Sequence, residues 1–201
     1  MLKIRKLGVV LIPLCLLFQS ALFSYSSDPK DFVKELVTDA IDKLADKNSN
    51  TEEKENFIKK IAIENVDINA LSLYTLGELR KSSEKKVIIK YQESFKNYFL
   101  KSLTSRLKDY TSAKFEIANV EKKSSNYTIV SSKIIPDDGG PEIKIDWRIY
   151  TKNPEKPLIR DLIVEGLSLA RTQKEEFASI LSSNNNDINI LISKLNEFVN
   201  N

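Results

Sequence analysis

The spacing of apolar residues changes once, near residue 111, and this change limits the folds that the chain can adopt. Before it, apolar side chains recur every three or four residues, which is typical of amphipathic helices. Beyond it they alternate with polar ones, most cleanly over 143–150, which predicts strands with one buried face. Helical spacing returns after residue 172. Helices, then an antiparallel sheet, then helices again predict an α+β domain.

Local signals place the ends of most of these elements. Asp28 followed by Pro29 is typical of a helix start, Gly77 of a helix end, and Thr172 with Glu175 of a capping box. The predicted N-terminal helices cover residues 29–44, 51–63, 67–76 and 83–110, and a last helix follows Asp187. A four-stranded or slightly larger sheet is predicted, with strands that begin near residues 115, 127, 143 and 158.

The predicted helix over 83–110 carries an unusually broad and aromatic apolar face. The positions that form it are Val87, Ile88, Tyr91, Phe95, Tyr98, Phe99, Leu103, Leu107 and Tyr110. Such a face can pack as ordinary core or can form one wall of a ligand cavity. The two interpretations are compatible, and the sequence leaves both open.

The first 26 residues have the pattern of a cleavable export signal. Three cations lie within residues 1–6, an uncharged apolar run covers 7–18, and small or polar residues follow up to Ser26. The run is shorter than the roughly 20 apolar residues of a membrane-spanning helix, which disfavours an uncut anchor. Lipidation at Cys15 is disfavoured because Leu14 stands where such signals have a small residue. We predict a cut near Ser26 that leaves 27–201 as a single domain.

Composition excludes several classes of site. The chain has no histidine, and its one cysteine lies in the predicted signal. Disulfides, zinc sites built on Cys or His, and Ser-His-Asp or Cys-His catalysis are therefore excluded from residues 27–201. The predicted signal carries three cations and no acid, so 28 basic and 28 acidic residues remain after it. This balance gives no argument for nucleic-acid binding, and we expect neither a metal nor a cofactor.

One segment resembles the turn that presents a catalytic serine. Residues 166–170 read Gly-Leu-Ser-Leu-Ala after a predicted strand. Without a histidine, Ser168 lacks its usual base, so a structural turn into the next helix is favoured. Adjacent acidic pairs such as Glu52 and Glu53 point apart on a helix. Two carboxylates from distant segments could still meet, but the residues favour a binding protein, not an enzyme.

The same segment carries a family resemblance. Residues 160–169 read Arg-Asp-Leu-Ile-Val-Glu-Gly-Leu-Ser-Leu, and Gln173 and Phe177 follow. This resembles the signature of the toluene-tolerance family, the periplasmic phospholipid-binding proteins of the maintenance-of-lipid-asymmetry (Mla) transport system. The order and spacing of 66–80 and of the long aromatic helix agree as well, so that the similarity spans essentially all of the chain after the signal. Departures stand at Leu79, Pro157 and Arg160, where the family commonly has aromatic residues.

The resemblance implies a soluble, monomeric periplasmic carrier. Such a carrier moves phospholipid between an outer-membrane lipoprotein–porin complex and the lipid-binding ring of an inner-membrane ABC transporter. It also implies an apolar cavity enclosed by the helices and the sheet. We expect the cavity to be lined by Val66, Leu71, Leu76, Phe95, Phe99, Leu103, Ile129, Ile145, Trp147, Ile149, Ile163 and Val164. At each position the alternative is ordinary packed core.

Two other classes of function stay open. An exported protein-interaction module or adhesin would have a closed interior and a binding surface. A small-molecule enzyme on a similar cone-shaped α+β fold would need a catalytic group that the sequence does not reveal. Bound phospholipid in the purified protein would separate the carrier from both.

Overall fold

The structure, a computed structural model, describes residues 25–107, 113–137 and 139–201. Its helices are α1 (Pro29–Ala45), α2 (Thr51–Asn65), α3 (Ile68–Thr75), α4 (Leu79–Ser82), α5 (Lys85–Leu107), α6 (Leu169–Ser182) and α7 (Ile188–Asn200), and its strands are β1 (Ala113–Ser124), β2 (Tyr127–Pro136), β3 (Ile143–Tyr150), β4 (Leu158–Val164) and β5 (Leu167–Ser168). This order confirms the predicted α+β class. The predicted signal, Cys15 and the expected helix end at Tyr110 lie outside the described residues. Within the described ranges, no helix has the length and apolarity to cross a membrane.

The first two helices begin where their capping residues predict. The Asp28 carboxylate accepts the backbone N–H groups of Lys30 and Asp31 at 2.9 and 3.1 Å, and Pro29 opens α1. Asn50 and Glu53 form a reciprocal capping box at the start of α2. Each cap satisfies N–H groups that have no partner within the helix.

The predicted capping box at Thr172 is wrong, because α6 begins one turn earlier. Ser168 is the N-cap, and its Oγ accepts the Arg171 N–H at 3.1 Å. Thr172 lies inside the first turn, where its hydroxyl donates to the Ser168 carbonyl at 3.0 Å. A contact with β4 fixes Ser168, so the helix starts directly after β5.

The five strands form one antiparallel sheet in the order β1-β2-β3-β4-β5. Trp147 on β3 lies opposite Val130 on β2 and Leu162 on β4. Directly opposed residues share a face of the sheet, so these three side chains point the same way. Arg160 is an extra residue in β4, because Arg148 pairs with Asp161 while Ile149 pairs with Ile159. This β-bulge changes which residues of β4 face the core.

Helix α1 packs on one face of the sheet and forms the region that we call the sheet core. Its buried members are Phe32, Val33, Leu36, Val37, Val130, Ile145, Trp147, Ile149 and Ile159. Helix α1 packs most extensively on β1 and β2, and the buried strand residues of the cluster lie on β2, β3 and β4, as the one-sided pattern of β3 predicts. Apolar burial on this scale is the main stabilising contribution that a chain without disulfides has available.

The helices α3, α5, α6 and α7 enclose a second cluster, which we call the helix core. Its buried members are Ala62, Ile68, Leu76, Tyr91, Phe95, Leu100, Phe177, Leu181, Ile188, Leu191 and Leu195. Helix α5 packs along α7 and also contacts α3 and α2. A third, small cluster of Leu44, Ile58 and Ile61 lies between the ends of α1 and α2.

Candidate functional site

The structure divides the predicted cavity residues between the two cores. Leu71, Leu76, Phe95, Phe99 and Leu103 belong to the helix core, whereas Ile145, Trp147, Ile149 and Val164 belong to the sheet core. Val66 packs against both. It follows α2 directly and forms a parallel bridge with Ile159 of β4. The two cores therefore meet at the junction between α2, α3 and β4.

Ile129 and Ile163 lie on the opposite face of the sheet. Ile129 pairs with Arg148, and Ile163 pairs with Asp146, both on the face turned away from α1. In β2, Thr128, Val130 and Ser132 point towards α1 instead. Both sets of alternating positions in β2 include apolar residues, so the sequence does not reveal which set faces inward.

The long aromatic face of α5 packs against other helices. Phe95 stacks on Phe99, with ring centroids 6.3 Å apart, and meets the edge of Phe177 of α6 at 6.2 Å. The Tyr91 and Thr75 hydroxyls are hydrogen-bonded at 2.7 Å in the buried interior. Burial raises the pKa of Tyr91 well above its ordinary value. Both hydroxyls are thus paired within the helix core.

Two polar groups, the Trp147 indole N–H and the Ser132 hydroxyl, are buried beside each other in the sheet core and are hydrogen-bonded. Trp147 donates its indole N–H to Ser132 Oγ at 2.8 Å, and Ser132 in turn donates to the Ile145 carbonyl at 3.1 Å. A buried indole N–H or hydroxyl without a partner would oppose burial. Because these groups are satisfied, the Trp147 ring can present hydrocarbon to the interior.

Exposure increases along the apolar face of β3. Ile149 is 0% exposed, Trp147 7% and Ile145 8%, and Ile143 at the start of the strand is half-buried. Phe115, Ile134 and Val164, which lie near Ile143 in the sheet, are half-buried as well. The sheet core is therefore closed at the Ile149 end and reaches solvent at the Ile143 end.

The segment that resembles a catalytic turn has a structural role. The Ser168 hydroxyl donates to Asp161 Oδ2 at 2.6 Å, and the Ala170 N–H donates to Asp161 Oδ1 at 3.0 Å. The Asp161 side chain is only 2% exposed. Asp161 therefore joins β4 to the start of α6, and its hydrogen bond with Ser168 holds the residue that caps this helix. The sequence motif Asp-x-x-x-Glu-Gly-x-Ser thus encodes a buried link between a strand and a helix.

Arg160, one of the departures from the family pattern, lies on the face of the sheet turned away from α1. Its Nε and Nη2 donate to Asp67 Oδ2 at 2.8 and 2.7 Å, and its Nη1 donates to Tyr127 at 2.8 Å. Its guanidinium carbon lies 3.4 Å from the ring centroid of Tyr150. Asp67 caps α3, so Arg160 ties the start of α3 to three strands.

Two surface grooves accompany this arrangement. One, of about 440 Å³, is lined by Tyr25, Asp31, Lys34, Glu35, Thr38 and Asp39 on the solvent side of α1. The other, of about 250 Å³, lies beside Arg148 and Arg160 and is lined by Ala70, Leu71, Tyr74, Tyr127, Asp161 and Ala170 as well. Across the described part of the chain, no group of three or more Cys, His, Asp or Glu is placed to hold a metal.

The fold and the site define a class: an α+β domain in which one face of an antiparallel sheet packs on α1 and becomes partly exposed towards the Ile143 end of β3. The structure is similar to that of a phospholipid-binding protein from Ralstonia solanacearum in complex with a phospholipid. The TM-score is 0.70 at 17% sequence identity, and the match covers 83% of this chain and 94% of that one. This likeness shows a shared fold. No match was found among curated proteins.

Residues 31–197 match the family described as MlaC protein. The match covers most of the chain, and the chain therefore belongs to the MlaC family. The resemblance that the sequence indicated is confirmed.

Proposed function

We propose that this protein is a periplasmic phospholipid carrier and that the sheet core holds the acyl chains. The observation that carries the proposal is the apolar face of β3, closed at Ile149 and open to solvent at Ile143. Membership of the MlaC family supports it, as does the phospholipid bound to the R. solanacearum protein of the same fold.

The energetics of the cargo require such an interior. Each CH₂ group removed from water contributes about 0.8 kcal/mol. A chain of about 15 such groups would therefore cost on the order of 12 kcal/mol to expose during transfer. A dry pocket removes this cost, while a charged headgroup can stay in water at the open end. Neither a nucleophile nor a metal is needed, so the proposed role is binding and transport, not catalysis.

The contacts between α1 and the sheet suit an exchangeable occupant. Phe32, Val33, Leu36 and Val37 of α1 meet the sheet core through hydrocarbon side chains. Such contacts have no fixed direction, so an acyl chain inserted between α1 and the sheet can replace them without leaving polar groups unpaired. We therefore propose that α1 and the strands separate locally to admit lipid.

The predicted residues outside the sheet core have a secondary place in this proposal. Val66 packs on both cores, so acyl chains that extend past it would meet Leu71, Leu76, Phe95, Phe99 and Leu103 of the helix core. Ile129 and Ile163 would need a separate contact on the other face of the sheet. Their role as lining residues stays a prediction.

The transport route is proposed from the family resemblance and the sequence. The carrier would exchange phospholipid with an outer-membrane lipoprotein–porin complex and with the lipid-binding ring of an inner-membrane ABC transporter. The signal-like start supports a periplasmic location, and the equal numbers of basic and acidic residues after it give no excess of cations for attachment to a membrane. Permanent attachment to an anionic membrane would require an excess of cations.

Lipid extraction and reloading test the proposal directly. The full chain is expressed with export in a Gram-negative host, and the purified protein is extracted with organic solvent for mass spectrometry. We expect copurified phospholipid, and uptake of phospholipid from vesicles after delipidation. A clean extract together with no uptake from vesicles would contradict the carrier and favour a protein-interaction module.

A matched pair of variants tests which core holds the lipid. Trp147→Ala removes a buried ring from the sheet core, and Phe95→Ala removes one from the helix core; both are well buried, at 7% and 3% exposure. Each is expected to destabilise the protein by about 3–5 kcal/mol. At a temperature where both variants are folded, Trp147→Ala should lower the lipid content per protein more than Phe95→Ala does. Equal loading of the two variants would refute the assignment to the sheet core.

A further inference from the structure

One row of side chains crosses the whole sheet on the face that α1 covers. Ile117 lies opposite Ser132, Ser132 opposite Ile145, Ile145 opposite Val164, and Val164 opposite Leu167. Because directly opposed residues share a face, the row continues the apolar surface of the sheet core out to β5. Leu167 is its last member.

Leu167 is the point at which this apolar surface enters solvent. Ile145 is 8% exposed, Val164 is half-buried, and Leu167 is 62% exposed. Among the large hydrophobic side chains of the described ranges, none is more exposed, and the next is Ile89 of α5 at 55%. A single exposed leucine is common on protein surfaces. Leu167 differs because it borders the open end of a buried apolar interior.

The turn that carries Leu167 is held rigidly. Glu165 and Gly166 both have positive φ, at 49° and 82°, which fits the tight two-residue turns that join antiparallel strands. The Glu165 N–H donates to the Lys144 carbonyl at 3.0 Å, and the Lys144 N–H donates to the Glu165 carboxylate. On the other side of Leu167, Ser168 is bonded to Asp161 at 2.6 Å. A glutamate at positive φ is strained. The same turn exposes Leu167 to solvent.

We propose that the β4–β5 turn forms the rim of the lipid site and that Leu167 contacts the acyl chain as the chain enters and leaves. The inference rests on the proposed carrier function and assigns it a further residue. The occupant follows from continuity: the surface that ends at Leu167 is the same hydrocarbon face that lines the sheet core. A chain that slides along this row keeps apolar contact between the interior and the surface.

A contact of this kind changes the rate of transfer more than the amount bound. Leu167 touches the chain in passage, whereas the loaded chain lies against residues deeper in the sheet core. Replacing Leu167 with glutamine removes apolar contact during passage, and we expect uptake about three- to tenfold slower, since part of the free energy of burying a leucine is lost. Lipid content at equilibrium and thermal stability should stay close to those of the wild type.

The experiment follows the delipidated full-length protein as it removes a fluorescent phospholipid from vesicles that contain a quencher. Leu167→Gln is compared with two controls. Ile89→Gln changes another exposed aliphatic side chain, on α5, and Leu167→Met keeps an apolar side chain at the same position. Slower uptake for Leu167→Gln alone, with recovery in Leu167→Met, would support the rim.

Four results would overturn it. Equal rates for Leu167→Gln and the wild type would show that Leu167 does not meet the chain. Equal slowing by Ile89→Gln would show a general effect of surface hydrophobicity, and a loss of loading in step with stability would make Leu167 part of the core. Absence of uptake by the wild type would refute the carrier function itself, and the rim with it.

Discussion

Replacement of Ser168 by alanine separates a structural from a catalytic interpretation of the Gly-Leu-Ser-Leu-Ala segment. The Ser168 hydroxyl makes two contacts: it donates to Asp161 at 2.6 Å and accepts the Arg171 N–H at the start of α6. Loss of an N-cap costs about 1 kcal/mol. Loss of a hydrogen bond to a buried carboxylate costs about 1.5–3 kcal/mol. Because the two losses share one side chain, we expect Ser168→Ala to lower the free energy of unfolding by about 2–3 kcal/mol.

The matched control is Thr172→Ala. The sequence predicts a capping box at Thr172, but the structure shows its hydroxyl donating to the Ser168 carbonyl inside the first turn of α6. Alanine has the higher helix propensity, so this variant should change the free energy of unfolding by less than about 0.5 kcal/mol.

Urea unfolding of both variants, followed by circular dichroism, measures the difference. Lipid content of the two proteins should match that of the wild type, because Ser168 pairs with Ile163 on the face of the sheet turned away from the sheet core. Equal stabilities of Ser168→Ala and Thr172→Ala would refute the assignment of the cap. A stable Ser168→Ala variant that has lost a hydrolytic activity of the wild type would refute the structural role.

Two further predictions concern groups on the far side of the sheet and in the helix core. Arg160→Lys loses the paired contacts with Asp67 and the stacking on Tyr150 and should lower the free energy of unfolding by about 1–2 kcal/mol. The control Arg148→Lys changes a side chain that is 47% exposed and lies 3.6 Å from Asp161, so it should lower this free energy by less than about 0.5 kcal/mol. Equal losses for the two variants in urea unfolding would contradict the role of Arg160. The raised pKa of the buried Tyr91 hydroxyl means that its contribution is full below pH about 10 and falls as pH rises further, because the unfolded chain then releases the proton first. Tyr91→Phe should therefore unfold more easily at pH 8, through the lost Thr75 contact, but lose less stability between pH 8 and 10.5 than the wild type; parallel pH profiles would contradict this.

The amino-acid sequence by itself determined the class of fold and much of the sheet core. Helical spacing before residue 111 and alternation after it arise from local geometry, 3.6 residues per helical turn against two per strand repeat. The pattern of β3 placed Ile145, Trp147 and Ile149 on one buried face, and the structure agrees. Because the chain has no histidine, the sequence alone showed that Ser168 lacks the usual catalytic base. These features depend on residue type and spacing, which the sequence displays.

Tertiary structure decided the features that depend on a partner. Both faces of β2 carry some apolar residues, and only the pairing of β2 with β3 turns Val130 inward and Ile129 outward. The bulge at Arg160 reverses the parity of β4, so that Ile159, Leu162 and Val164 face α1 while Ile163 does not. Strand register follows from contacts between segments distant in sequence, and no local pattern records it.

The same reason explains the helices. The apolar face of α5 shows that the helix is buried on one side, but not against what. In the structure it packs on α3, α6 and α7, and the sheet core belongs to α1. Ser168 likewise caps α6 because Asp161, seven residues earlier, holds it there. The sequence determined which side chains avoid water, and the tertiary structure decided which of them meet, because hydrophobic burial is non-directional and only the packed chain selects the neighbours.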